Sequence, residues 1–104
     1  MNQDSETFFS QPFLFEWDDG NRNKNEGKHG VKNEECEQIF LNRPLIVAED
    51  GAHSQKEARH FALGRTNDGR LLFAAFTVRG EKLRVISARD MSRQERRIYQ
   101  NEKA

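Results

Sequence analysis

The residues best suited to acid–base chemistry in this sequence are Lys28, His29 and Gly30, which stand side by side at the end of a predicted helix. An imidazole ordinarily has a pKa of about 6.5, so it can accept or donate a proton near neutral pH. The partial negative charge of a helix C-terminus favours the protonated ring, and a neighbouring lysine disfavours it. His29 is therefore a candidate general acid or base, against the alternative that it only caps the helix.

Arginines at strand ends are the second group with possible chemistry. Arg65 and Arg70 flank a predicted hairpin turn, and Arg89 follows the last predicted strand, so we expect all three at one end of a sheet. The opposite end would collect four further cations, Arg59, Arg79, Lys82 and Arg84. A guanidinium is a permanently charged fork that matches phosphate oxygens. The pattern predicts a phosphate-handling surface, unless the arginines serve only to keep the strand ends solvated.

The charge of the chain is divided unevenly although the net charge is zero. Residues 1–58 carry six Lys and Arg against twelve Asp and Glu, whereas residues 59–104 carry eleven against five. Internal ion pairing would explain such a split. It also suits a basic surface in the second half that binds a polyanion or an acidic partner.

Other chemistries find little support. His53 and His60 are seven residues apart without metal-ligand spacing, and a single cysteine excludes a cysteine-type zinc site, so we expect no metal and no cofactor. Ser87 and Ser92 lack a recognisable histidine and acid partner, and there is no glycine-rich phosphate loop. Cys36 is expected to be a small core side chain rather than a nucleophile.

The cysteine count and the hydropathy also bear on location. One cysteine allows no internal disulfide, which fits a reducing cytoplasm. No apolar run of 18 residues and no secretory signal are visible, so we expect a cytoplasmic protein that does not enter a membrane.

The elements that must position these residues follow from periodicity and turn signals. Residues 1–12 read as a flexible extension and residues 13–104 as a single domain. Asp18 or Asp19 would cap the first helix, and Asn33 the second. Ser92 and Glu95 form a capping box before the last helix. The predicted elements are a strand over Phe13–Trp17, a helix that follows its Asp18 or Asp19 cap and runs to about His29, a helix over about Asn33–Leu41, strands over Leu45–Ala48, Arg59–Arg65, Arg70–Val78 and Leu83–Ala88, and a terminal helix to about Asn101. This order predicts an α+β fold with an antiparallel sheet.

Several motifs in order resemble one known family, the BrnT toxins. They are Phe15-Glu16-Trp17-Asp18, Asn25, Lys28-His29-Gly30-Val31, Arg59-His60-Phe61-Ala62-Leu63-Gly64-Arg65, Asp68-Gly69-Arg70-Leu71-Leu72, Arg84-Val85-Ile86-Ser87-Ala88-Arg89 and Glu95-Arg96-Arg97-Ile98-Tyr99. Together they extend from about Phe13 to Tyr99. The chain departs from the family pattern at Asn21, where a lysine is common, at Glu26-Gly27 and at Lys32-Asn33.

The resemblance implies a RelE/ParE-like fold with an N-terminal strand and two helices, a four-stranded antiparallel meander and a C-terminal helix. It implies a type II toxin that blocks translation as a ribonuclease and is neutralised by a BrnA-type antitoxin. We expect a toxin–antitoxin heterotetramer that meets operator DNA only through the antitoxin. Carried onto this chain, the active surface would comprise Lys28, His29, Arg65, Arg79 and Arg89.

RNA contacts are further expected from Arg70, Arg84 and Tyr99, although Tyr99 also reads as a core-edge aromatic. Metal-independent cleavage needs an acid, a base and positive charge near the phosphate. Two alternatives remain open from the sequence. One is a ParE-like toxin that binds a protein target such as gyrase, and the other is a module that only completes a repressor complex with its antitoxin.

Overall fold

The computed structural model describes residues 14–51 and 57–103. These residues form a mixed five-stranded sheet with three helices. In chain order the elements are β1 (Leu14–Phe15), α1 (Lys24–His29), α2 (Asn33–Leu41), β2 (Ile46–Glu49), β3 (Arg59–Arg65), β4 (Leu71–Arg79), β5 (Lys82–Asp90) and α3 (Arg93–Lys103). The predicted α+β class is confirmed. Phe13, His53 and the expected extension over residues 1–12 lie outside the described residues.

The strand order is β1-β5-β4-β3-β2, with every neighbouring pair antiparallel except β1 and β5. The prediction of an antiparallel sheet therefore needs correction, because the N-terminal strand joins the edge in parallel. Leu14 donates its N–H to the carbonyl of Glu81, and Glu16 donates to that of Leu83. Phe15 and Trp17 then pack against the core, which gives this short edge segment its apolar contacts.

The first helix ends where predicted but begins later than predicted. Gly30 adopts a left-handed φ of +66° after the last turn, a conformation that glycine takes without steric cost. The expected start at Asp18 or Asp19 is wrong. The carbonyl of Asp18 accepts from the N–H of Asn21 and of Arg22, and its side chain accepts from Gly20, so this stretch forms turns.

The second helix has the predicted bounds, and its predicted inner face is confirmed: Cys36, Ile39 and Phe40 are buried. Burial raises the pKa of the Cys36 thiol to about 12, which fits a core side chain rather than a nucleophile. The helix cap is Lys32 and not Asn33, since Lys32 N–H donates to the Glu35 carboxylate. On the facing strand, a Cβ added to Gly64 would lie 2.9 Å from Ile39 Cβ, so α2 can approach β3 closely.

The two faces of the sheet carry two separate groups of buried side chains. One face, covered by α1 and α2 and here called the α2 face, holds the larger core with Leu72, Phe76 and Val85. The other face, here called the α3 face, packs Leu63 and Phe73 with residues of the C-terminal segment. Side chains alternate between the two faces along each strand, so two arginines at the same end of the sheet can face opposite sides.

The C-terminal helix starts with the predicted capping box. Ser92 Oγ accepts from the N–H of Glu95, and Glu95 Oε1 accepts from the N–H of Ser92. β5 continues to Asp90, two residues beyond the predicted end, because its residues remain paired with β4 as far as Leu72. Among the described residues, no helix has both the length and the apolar character needed to cross a bilayer.

Candidate functional site

Lys28 and His29 are exposed at the C-terminal end of α1, immediately before the left-handed turn at Gly30. In residues 14–51 and 57–103, no group forms a hydrogen bond or an ion pair with the side chain of Lys28 or of His29. α1 lies along the edge of β5, where buried Asn25 accepts a hydrogen bond of 2.9 Å from the N–H of Ala88. His29 follows Asn25 by one helical turn, about 6 Å along the axis, which puts it at the Asp90 end of β5.

Arg70 forms hydrogen bonds with the turn that contains His29 and Gly30. Its guanidinium donates to the carbonyl of Gly30 at 2.9 Å and to that of His29 at 3.4 Å. The same group forms a two-point ion pair with Asp90, at 2.7 and 3.1 Å, and a contact of 3.2 Å with Glu35. Four segments of the chain therefore meet at one guanidinium, and its donors are engaged by protein groups.

Opposite charges lie close together around this turn and shift each other's pKa values. The guanidinium of Arg70 lowers the pKa of Asp90, and the nearby Arg96 and His29 lower it further. Asp90 in turn raises the pKa of Arg70. The imidazole of His29 thus lies within electrostatic range of a carboxylate whose pKa is lowered.

Arg89, although next to Asp90, faces the opposite side of the sheet. Its two terminal nitrogens donate to the two oxygens of Glu95 at 2.8 and 3.0 Å. The guanidinium carbon lies 4.2 Å from the ring centroid of Phe73, a cation–π contact on the α3 face. The guanidinium lowers the pKa of Glu95. Arg89 is held rigidly, and its side chain remains 40% exposed.

Arg65 stands at the same sheet end as Arg70 and Arg89, because it pairs with Leu71 at the start of β4. Its Nε donates to the carbonyl of Arg43 at 3.0 Å, and the residue is exposed. Within the described part of the chain Arg65 has no carboxylate partner. Its charge is therefore available to an anion, unlike that of Arg70.

Arg79 and Arg84 do not join this group. β4 has nine residues from Leu71 to Arg79, so about 26 Å of extended chain separates its two ends. Arg79 forms two bonds of 2.8 Å with Glu57, and Arg84 bonds Asp18 at 2.6 and 3.0 Å. The bonds from Arg84 lower the pKa of Asp18 to about 2. The cations of the second half are therefore divided between the two sheet ends.

Tyr99 lies in the core. It is 1% exposed, and its hydroxyl donates to the carbonyl of Pro44 at 2.7 Å. The structure supports the interpretation of Tyr99 as a core aromatic. We therefore do not include Tyr99 in an RNA-binding surface.

Two buried asparagines position α1, and reasoning from the sequence missed their roles. The amide of Asn21 donates to the carbonyls of Glu16 and Val85, at 2.9 and 3.0 Å, and Asn25 holds Ala88 as described above. Their spacing of four residues, with both side chains polar, is a signal that would have suggested one shared contact face. Where the family pattern often has a lysine, Asn21 thus serves as a structural anchor.

The arrangement can carry out acid–base chemistry next to positive charge. An exposed imidazole, an exposed ammonium and the guanidinium groups of Arg65 and Arg89 border one end of the sheet. Among the described residues, no three histidine, cysteine or acidic side chains come together as ligands for a metal ion.

Comparison with known proteins gives one clear result. The family model described as "Ribonuclease toxin, BrnT, of type II toxin-antitoxin system" matches residues 17–95, which is most of the chain. The match spans the Lys28-His29-Gly30 turn together with Arg65, Arg70, Arg79, Arg84 and Arg89. No curated protein matches the chain.

Proposed function

Because this chain belongs to the BrnT family of ribonuclease toxins of type II toxin–antitoxin systems, we propose that it is an endoribonuclease that cleaves RNA without a metal ion and so blocks translation. The observation that carries the proposal is the exposed imidazole of His29 on a turn fixed by Arg70, beside the free charge of Lys28. A RelE/ParE-like relationship of the fold and a cytoplasmic site of action belong to the same proposal.

In the proposed reaction the ribose 2′-oxygen attacks the adjacent phosphorus, and the bond to the 5′-oxygen of the next nucleotide breaks. The 2′-hydroxyl loses a proton and the leaving 5′-oxygen gains one. His29 takes one of these proton-transfer roles, since an imidazole can serve as base or acid near neutral pH.

The reaction also needs positive charge, which stabilises the negative charge that develops on the phosphate oxygens in the transition state. Lys28 is the cation beside His29 that we propose for this role, since a preorganised donor near developing charge stabilises a transition state by about 3 kcal/mol. Arg65 and Arg89 would add positive potential from the same end of the sheet, where Arg89 faces the α3 side. Arg70 acts as a positioning residue, because its donors hold the His29 turn. We leave Arg79 and Arg84 outside the catalytic group, since the length of β4 separates the two ends.

We propose that the protein partner is a BrnA-type antitoxin that joins the toxin in a heterotetramer and carries the contact with operator DNA. A type II family implies an antitoxin. The net positive charge of residues 59–104 would attract an acidic segment of such a partner, and the same charge would attract RNA. Competition between antitoxin and RNA follows from this overlap.

The variant His29→Ala tests the proposal, with Lys24→Ala as a matched control that removes one cation from the same helix. We expect His29→Ala to slow single-turnover cleavage of a single-stranded RNA by about 100-fold or more. The Kd for the RNA should change by less than about threefold, because the ring moves protons rather than anchoring phosphate. Lys24→Ala should keep nearly full cleavage.

Equal losses of cleavage and binding in His29→Ala would show that the ring binds RNA and does not catalyse. Cleavage by the wild-type protein should persist in EDTA, and its loss there would refute metal independence. A protein that cleaves no RNA but inhibits gyrase supercoiling would belong with the ParE-like alternative. Growth arrest on expression, relieved by the neighbouring small gene, would support the antitoxin partner.

A further inference from the structure

The α3 face of the sheet carries a stacked row of one cation and two aromatic rings. Arg89 of β5 pairs with Phe73 of β4, and Phe61 of β3 lies diagonally beside Phe73. The guanidinium carbon is 4.2 Å from the Phe73 centroid, and the Phe73 and Phe61 rings are 5.7 Å apart at an angle of 22°. Phe73 is thus covered on both sides by its neighbours in the row.

Among the described residues, no further aromatic side chain continues the row beyond Phe61. The next strand places Ala48 directly opposite Phe61, and a methyl group leaves space where a larger side chain would continue the stack. A cavity of about 470 Å³ opens there between the sheet and α3, with Ile98 on its helix side. Both Phe61 and Phe73 are only partly buried, so ring surface borders this cavity.

Polar groups stand at the rim of the cavity in positions suited to hydrogen bonding with a heterocycle. Gln94 lines it with an exposed amide that has both donors and an acceptor, and Ser92 adds a hydroxyl. Glu95 and Asp50 line it with carboxylates, which repel phosphate. A planar base with N–H groups fits this lining, whereas a phosphate group does not.

We propose that this cavity is a nucleobase subsite for single-stranded RNA, in which one base stacks on Phe61 and its polar edge meets Gln94. The inference rests on the proposed ribonuclease function and adds a source of sequence preference to it. Stacking on aromatic side chains beside cations is how proteins hold unpaired bases. The phosphates on either side of the base would lie outside the cavity, where the exposed Arg65 follows Phe61 by four residues along β3.

Binding is measured with fluorescein-labelled hexamers of 2′-fluoro adenosine, cytidine or uridine, which cannot be cleaved through a 2′-hydroxyl. Phe61→Leu keeps an apolar side chain but removes the ring, and Phe61→Tyr keeps the ring as the matched control. We expect Phe61→Leu to weaken binding of the preferred hexamer about tenfold, the effect of losing one base–aromatic stack. Phe61→Tyr should stay within about twofold of wild type, because it retains the π surface.

A hexamer with one abasic position completes a double-mutant cycle. The abasic substitution at the sensitive position should weaken binding to wild type about tenfold, and should add little to the loss in Phe61→Leu, because both changes remove the same stack. Equal Kd values for wild type and Phe61→Leu, or fully additive losses, would overturn the subsite. So would a Phe61→Leu protein that binds the hexamers normally but fails to bind the antitoxin, which would assign the cavity to a protein partner.

A second variant keeps the test independent of the packing of Phe61. Gln94→Ala changes an exposed residue of α3, so we expect the fold to persist and the ranking of the three hexamers to change. An unchanged ranking would contradict the proposed contact with the base edge.

Cleavage kinetics distinguish a failure of the base subsite from a failure of the proposed ribonuclease function. With cleavable RNA, Phe61→Leu should raise KM and leave kcat near the wild-type value, whereas His29→Ala should lower kcat. A wild-type protein without ribonuclease activity would refute the proposed function, and the uncleavable hexamers would still decide the subsite. Cleavage that responds to His29→Ala but not to Phe61→Leu would refute the subsite alone.

Discussion

Replacing Arg70 with methionine removes the guanidinium that joins the His29 turn to the sheet and keeps an unbranched side chain about as long as the aliphatic part of arginine. The variant loses the bonds to Asp90 at 2.7 and 3.1 Å, to Glu35 at 3.2 Å and to the Gly30 carbonyl at 2.9 Å. We expect a less stable protein that also cleaves RNA more slowly, because the turn that presents the imidazole is no longer held.

The expected loss of stability follows from the exposure of the partners. The side chains of Arg70 and Glu35 are 29% and 25% exposed, so water screens this pair only in part. A hydrogen bond to a charged group contributes about 1.5–3 kcal/mol, whereas the pair with the 62% exposed Asp90 contributes about 0–1 kcal/mol. We expect the free energy of unfolding to fall by about 2–3 kcal/mol at pH 7, or about 10–20 °C in Tm.

The loss should depend on pH in a defined direction. Arg70 lowers the pKa of Asp90 in the folded protein below the ordinary value of 3.8. A carboxylate of this kind contributes stability that is present above its unfolded-state pKa and is lost as the pH falls through its folded-state pKa. Arg70→Met lacks that contribution, so the difference between wild type and variant should shrink as the pH falls below about 4.

Urea unfolding followed by the fluorescence of Trp17, at pH 7 and pH 3, measures both effects. Arg79→Met is the matched control, because its bonds to Glu57 join side chains that are 50% and 43% exposed and should contribute about 0–1 kcal/mol. Equal destabilisation by the two variants, or a loss for Arg70→Met that is the same at both pH values, would refute the reasoning. In cleavage assays Arg70→Met should lower kcat and leave the Kd for uncleavable RNA within about twofold, since Arg70 positions the turn.

Two further predictions concern the buried side chains of Asn21 and Cys36. Asn21→Lys should destabilise the protein by about 3 kcal/mol in urea unfolding, because a 2% exposed amide that donates to two backbone carbonyls becomes a buried cation; a stable variant would contradict the anchoring role of Asn21. Cys36 should react with a thiol reagent at pH 8 far more slowly in the folded protein than in urea, because burial raises its pKa to about 12; rapid labelling of the folded protein would contradict that burial.

Several elements could be predicted to the residue because short-range chemistry fixes them. The helix over Asn33–Leu41, the strand over Arg59–Arg65 and the capping box of Ser92 and Glu95 depend on neighbours within a few positions. The stop at Gly30 depends on the backbone freedom of one residue. The start of α1 could not be predicted in this way, since Asn21 bonds to a carbonyl 64 positions away in β5.

The sequence by itself determined which side chains have the chemistry for the proposed reaction, and that Arg65, Arg70 and Arg89 stand at one end of the sheet. The tertiary structure decided what each of them can do. Arg70 is engaged by Glu35, His29 and Gly30 on the α2 face, whereas Arg89 stacks on an aromatic ring on the α3 face. The physical reason is that the charge and reach of a side chain are local properties. The groups that hold it come from distant segments, which only the folded chain brings within hydrogen-bonding distance.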